Sequence, residues 1–168
     1  MLLPTQSKWN EVFAMSRAFV KEDTGEGLDT LPDRPISEHR NFVTTEGLAA
    51  IETEVVRLNE AYAQAQTSAD RAQLQKVARD LRYWSQRRQS AEVMSEPGES
   101  GTVQFGSRVT LLRSSDQRVT YRIVGEDEAD PAKGSISFVS PLARALMGKA
   151  EGDTVRMGQA DAEIEAIR

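Results

Sequence analysis

Leu48, Ile51, Val55, Leu58, Tyr62 and Ala65 recur at spacings of 3, 4, 3, 4 and 3 residues. Leu74, Val77, Leu81 and Trp84 repeat the pattern at 3, 4 and 3. A seam of this period is narrower than the apolar face of an ordinary globular helix and suits two helices packed along their length. Only the short run Thr67-Ser68-Ala69-Asp70 separates the two seams. Helices joined so tightly must fold back on each other, so an antiparallel helical hairpin is expected. Thr44 or Thr45 suits the first N-cap, with Glu46 in the opening turn. Thr67 and Asp70 make a capping-box-like pair ahead of the second helix. A first helix of about 23 residues would reach roughly 35 Å. Truncating Leu81 to Ala, at a seam position read as buried, is expected to cost about 2–5 kcal/mol.

The sequence on either side sets the limits of this hairpin. Upstream, Pro32 and Pro35 fix φ and lack an N–H, so no helix crosses them, and residues 1–41 read as an extended, partly disordered arm. Two readings of residues 1–14 stand side by side: an extension ahead of a natural start at Met15, and a short helix around residues 9–13. His39, beside Arg40, reads as an exposed loop histidine. Downstream, Ser95-Glu96-Pro97-Gly98-Glu99-Ser100-Gly101 is the clearest linker. The hairpin is thus assigned to residues 42–95 and a second domain to residues 102–168.

The second domain alternates short β-type runs (102–105, 108–112, 119–124, 135–139, 154–157 and 162–167) with turn residues, which predicts an antiparallel sheet. One helix interrupts it. Ser140 suits its N-cap, Pro141 its first position and Gly148 its stop, with Leu142, Ala145 and Leu146 facing the sheet. The fold class is therefore α+β.

Composition removes several kinds of chemistry. The chain has no cysteine, so disulfides, Cys-based zinc sites and thiol nucleophiles are excluded. Its single histidine argues against a Ser-His-Asp triad or a His-rich metal site. No run of 18 apolar residues occurs, so no membrane span is expected. The first residues lack a basic start followed by an apolar block, and a cytoplasmic location is expected. A net charge of −5 argues against coating nucleic acid. The second hairpin helix is nevertheless basic, with Arg71, Lys76, Arg79, Arg82, Arg87 and Arg88 against Asp70 and Asp80. The competing reading is a solvated face with pairs such as Lys76–Asp80. Glu126-Asp127-Glu128 and Asp130 crowd four carboxylates into five positions without the alternation and glycine of a calcium loop, and read as a solvated turn.

The stretch from Tyr121 to Asp130 (YRIVGEDEAD), then Gly134-Ser135-Ile136-Ser137, Ser140-Pro141-Leu142-Ala143-Arg144-Ala145-Leu146-Met147-Gly148-Lys149 and Glu151-Gly152-Asp153, resembles the C-terminal domain of the GreA/GreB transcription elongation factors. The resemblance runs from about Val103 to Ile167. Phe42-Val43-Thr44-Thr45-Glu46-Gly47-Leu48 looks like the start of that family's coiled coil, and residues 1–41 have no counterpart. The resemblance implies an FKBP-like C-terminal domain that docks on the rim of the RNA polymerase secondary channel. It also implies a hairpin inserted into that channel. Val139, Ser140 and Pro141 would make the docking contact, with Val139 where relatives often carry a polar or acidic residue. It implies no enzyme, cofactor or direct nucleic-acid contact of the chain's own. At most the tip would help hold a magnesium ion shared with the polymerase active site and so stimulate cleavage of RNA in backtracked complexes.

Two departures weaken that last expectation. The tip has one acid, Asp70, where the family has an Asp and a Glu, and a single carboxylate is a poor magnesium ligand. The hairpin also looks about two turns short, on the order of 10 Å. Both features resemble shorter relatives such as the nucleoside-diphosphate-kinase regulator Rnk. Asp70 thus has two roles open to it, metal-positioning acid and helix cap. The alternatives to a cleavage factor are a channel-occupying regulator and a Rnk-like module for another protein, such as a kinase. A prolyl isomerase is disfavoured because Phe105, Tyr121 and Phe138 are the domain's only aromatics. A DksA-type channel binder is disfavoured by the missing zinc cysteines.

Overall fold

In a computed structural model, residues 31–98 and 101–168 are described. The expectations for residues 1–30 lie outside them. Residues 31–40 form no regular element and lead into strand β1 (Phe42–Val43). Helix α1 (Thr45–Thr67) follows, then helix α2 (Arg71–Ser90) and strand β2 (Glu92–Val93).

The helix ends follow from local chemistry. Thr44 takes extended backbone angles and its Oγ1 accepts from the Gly47 N–H at 2.9 Å, which gives one free donor of the first turn a partner. The 23 residues of α1 match the expected length. At the tip the chain reverses through Ala69, which sits at φ 54°. Asp70 then caps α2, its Oδ1 accepting from the Gln73 N–H at 3.0 Å. The expected pairing of Thr67 with Asp70 does not form: Thr67 still belongs to α1 and its hydroxyl donates to the Gln64 carbonyl.

Ile51, Val55, Leu58, Ala65 and Val77 are buried along the seam. Tyr62, Leu74, Leu81 and Trp84 are half-buried. A pair of helices has one contact line, so side chains on its flank keep an open side. The arm and the hairpin ends meet at the base. There β1 and β2 pair in parallel, Phe42 with Glu92 and Val43 with Val93, an element the sequence did not suggest.

The C-terminal part of the chain contains β3 (Arg108–Arg113), β4 (Arg118–Val124), β5 (Ser135–Ser137), α3 (Pro141–Leu146), β6 (Thr154–Met157) and β7 (Ala160–Ile167). Sheet order is β5-β4-β3-β7-β6. The sheet is mixed rather than antiparallel throughout, because β5 runs parallel to β4. The 3-10 turn at Pro131–Lys133 and the left-handed Gly134 carry the chain back to start β5 alongside it. The expected strand at 102–105 is absent. Thr102 makes one isolated bridge to Ala150, and Gly106 at φ 90° turns the chain into β3 before a ladder can build.

Val109, Leu111, Ile123, Ile136, Val155 and Ile164 form the core with Ala143 and Leu146 of α3. Ala143, rather than Ala145, is the small residue buried against the sheet. Among the described residues no helix is long and apolar enough to cross a membrane.

Candidate functional site

The acidic loop after β4 is not a solvated turn. Asp127 accepts from the Arg87 Nε at 2.5 Å and from the Tyr83 hydroxyl at 2.6 Å. Arg87 is only 2% exposed, so its charge has left water and depends on this partner. Glu126 lies 3.9 Å from the same guanidinium. Its buried Oε2 has no hydrogen-bond partner in the structure. The Arg87 carbonyl accepts from Asn41 Nδ2 at 2.7 Å, which fastens the end of the arm to the end of α2.

Glu128 grips the other helix. Its carboxylate accepts from the Thr44 N–H at 2.9 Å and from the Thr44 hydroxyl at 2.5 Å, and its Oε1 also faces the Gly125 N–H at 3.3 Å. Two glycines make room. A Cβ on Gly47 would stand 2.0 Å from Glu128 Cδ, and one on Gly125 would stand 2.5 Å from the Phe42 carbonyl. Burial first, and then the bond to Asp127, push the Tyr83 hydroxyl up to about 12. It therefore stays protonated as a donor.

Beside this polar clamp lies an aromatic one. Phe42 packs against Phe138 at 5.3 Å and Phe105 at 6.1 Å between ring centres, and those two stand 5.8 Å apart. Phe42 belongs to the hairpin base and the others to the C-terminal domain. Two of the three aromatics that an isomerase pocket would need, Phe105 and Phe138, are thus packed against the chain's own hairpin base.

Val139, Ser140 and Pro141 are consecutive residues of the surface turn into α3, Val139 and Ser140 half-buried. Ser140 Oγ accepts from the Ala143 N–H at 3.2 Å, and the Val139 N–H donates to Ser137 Oγ at 3.3 Å. Pro141 is exposed. The turn follows directly on Phe138, so it is tied through Phe42 to the hairpin root. His39 is exposed, as expected, with its Nε2 3.4 Å from Arg144 of α3.

Asp70 is at the far end of the hairpin, roughly 35 Å along α1 from its base. Its one carboxylate is engaged as a cap, and Gln66, Thr67, Ser68 and Ala69 offer no second charge. These residues do not by themselves fit a magnesium site.

The basic look of α2 is largely neutralised. Arg82 pairs with Asp33 at 2.7 Å, Arg79 with Asp80 at 3.3 Å and Arg88 with Glu52 at 3.8 Å. The Lys76–Asp80 pair does not form, since Asp80 turns to Arg79 and Arg34. The residues that sequence reasoning missed are Phe42, Tyr83, Arg87, Asp127 and Glu128. One signal was available. Arg87 follows Trp84 by three residues, on the inner flank of a seam otherwise apolar.

Together these features hold a helical hairpin at its root against a small mixed sheet flanked by helix α3. Residues 98–167 match the model of the family described as "Transcription elongation factor, GreA/GreB, C-term". The chain is 42% identical over 83 residues to the transcription elongation factor GreA of Cereibacter sphaeroides, covering 46% of this chain and 53% of that protein. It is 49% identical over 85 residues to GreA of Anaeromyxobacter sp. strain K, covering 46% and 51%. The chain thus spans about half the length of these curated relatives. Among solved structures, GreA factor homolog 1 of Thermus thermophilus aligns at 20% identity with a TM-score of 0.39, covering 77% of this chain and 99% of that one.

Proposed function

We propose that the chain is a transcription elongation factor that binds RNA polymerase at its secondary channel. In this reading the Val139-Ser140-Pro141 ridge seats on the channel rim and the hairpin points inward. The observation that carries it is the pairing of a GreA/GreB C-terminal domain with a helical arm rooted in that same domain. A ridge and an arm held by one rigid root would let docking at the first decide where the second goes. The factor would act through the polymerase's own chemistry and meet nucleic acid only through it. The paired arginines of α2 and the net charge of −5 favour this over direct phosphate binding. Such a partner would place the chain in the cytoplasm.

Whether the hairpin stimulates RNA cleavage or only occupies the channel turns on Asp70. Its capping role and the lack of a second tip acid favour occupancy. A Rnk-like module for another protein is the second reading, supported by the same single-acid tip. The deciding experiment measures RNA cleavage and polymerase binding in backtracked complexes of the cognate polymerase. The wild type is compared with Asp70→Ala and with a Ser140→Ala/Pro141→Ala variant. Binding lost in the ridge variant, with no cleavage by any protein, establishes a channel-occupying regulator. Fast cleavage that depends on Asp70 makes the chain a cleavage factor. No binding by the wild type sinks the polymerase reading, and a pull-down with and without the hairpin then tests the second.

A further inference from the structure

The geometry points to Asp127 as the positioning residue that sets the direction of the hairpin relative to the α3 ridge. This inference rests on the functional reading above. Asp127 is bonded to two residues of α2, Tyr83 and Arg87, which lie on adjacent turns. Two bonds spaced along a helix restrain its tilt, where one bond would act as a pivot. The restraint extends into the arm. The Arg34 guanidinium lies 3.7 Å over the Tyr83 ring, and Asn41 holds the Arg87 carbonyl. Glu128, on the next residue, holds the start of α1 through Thr44. Both helices are therefore aimed by neighbouring carboxylates of one loop. A small change of angle at the root is multiplied over the length of the arm, so the tip depends on this loop although it lies far away. Misplacement of about 1 Å can cost on the order of a hundredfold where a group must be positioned.

The chain has no cysteine, so a pair introduced at the exposed tip residue Gln66 and at Gln159 in the β6–β7 turn can carry spin labels. Pulsed distance measurements are made on the full chain with Asp127, with Asp127→Asn, with Asp127→Glu and with Tyr83→Phe. The inference expects a narrow distance distribution in the parent and a clearly broader one in Asp127→Asn. Tyr83→Phe is expected to fall between them and Asp127→Glu to recover most of the narrowness. In polymerase assays, Asp127→Asn is expected to keep its binding affinity while the factor's effect on elongation falls about tenfold. An unchanged distribution in both Asp127→Asn and Tyr83→Phe overturns the inference, as does a loss of affinity that accounts for the whole loss of effect. The distance measurement needs no polymerase. Failure of the parent to bind polymerase therefore counts against the functional reading, while the distributions still decide what Asp127 does to the hairpin.

Discussion

Tyr83 and Gly47 owe their importance to carboxylates that reach them from the other half of the molecule. Tyr83 donates to Asp127, and its ionisation is pushed up to about 12 by burial and by that bond. Its folded value thus lies above the ordinary tyrosine range near about 10. The stability it contributes is fully present below the unfolded value and is lost as pH rises through the folded one. An absorbance titration should show one of the three tyrosines ionising late, near 12, and Tyr83→Phe should remove that late step. Gly47 is needed for a steric reason. A methyl group there would displace the Glu128 carboxylate and strand the Thr44 N–H. Gly47→Ala should destabilise by roughly 1–2 kcal/mol, the lost bond outweighing alanine's better helix propensity. Urea unfolding measures this, and a stabilised variant would show that Glu128 is not committed to the helix.

Among the elements, the hairpin was legible because a heptad seam and a four-residue turn leave little choice of packing. Which seam residues are deeply buried was not legible, because the pattern gives the contact line and not its depth. Leu58 is 2% exposed, whereas Leu81 lies on the open flank. Leu58→Ala should therefore cost about 2–5 kcal/mol. Leu81→Ala should cost about 1–2, less than its seam position suggested. Helical circular dichroism during urea unfolding of both variants tests this ranking, and equal losses would refute it. The start of α3 was equally legible, since Ser-Pro cap chemistry is local. The parallel placement of β5 was not, because alternation and turns do not reveal strand direction. Nor was β1 with β2, whose two-residue strands are paired across the whole hairpin.

At the scale of the whole molecule, the junction was the part hidden from the sequence. A run of acids looks solvated until the fold brings Arg87 and Thr44 against it from 40 and 84 residues away. The caps at Ser140 and Asp70 were legible, because caps are written in neighbouring residues. The clamp is written in distant ones. It also makes the two parts depend on each other, since an isolated helical pair of this size is marginal alone. The parent should unfold in one transition. Asp127→Ala, which strands a buried arginine at a cost of about 3–5 kcal/mol, should separate loss of helix from loss of the sheet's packing. Far-ultraviolet and near-ultraviolet dichroism melts followed together would show this. Coincident melts in the variant would mean that the remaining contacts, the Glu128–Thr44 bonds and the aromatic cluster, suffice to couple the parts.

The hairpin leaves and returns at one spot, where Phe42 and Glu92 are paired neighbours. Nothing in the root therefore records how long the excursion between them is. Deleting one heptad from each helix would shorten the reach by about 10 Å while every root contact kept its partner. Within such an architecture, length is a property that evolution or an engineer can alter independently of attachment. A short-armed protein and a long-armed one can then share a foot on the same surface and differ only in the depth they probe.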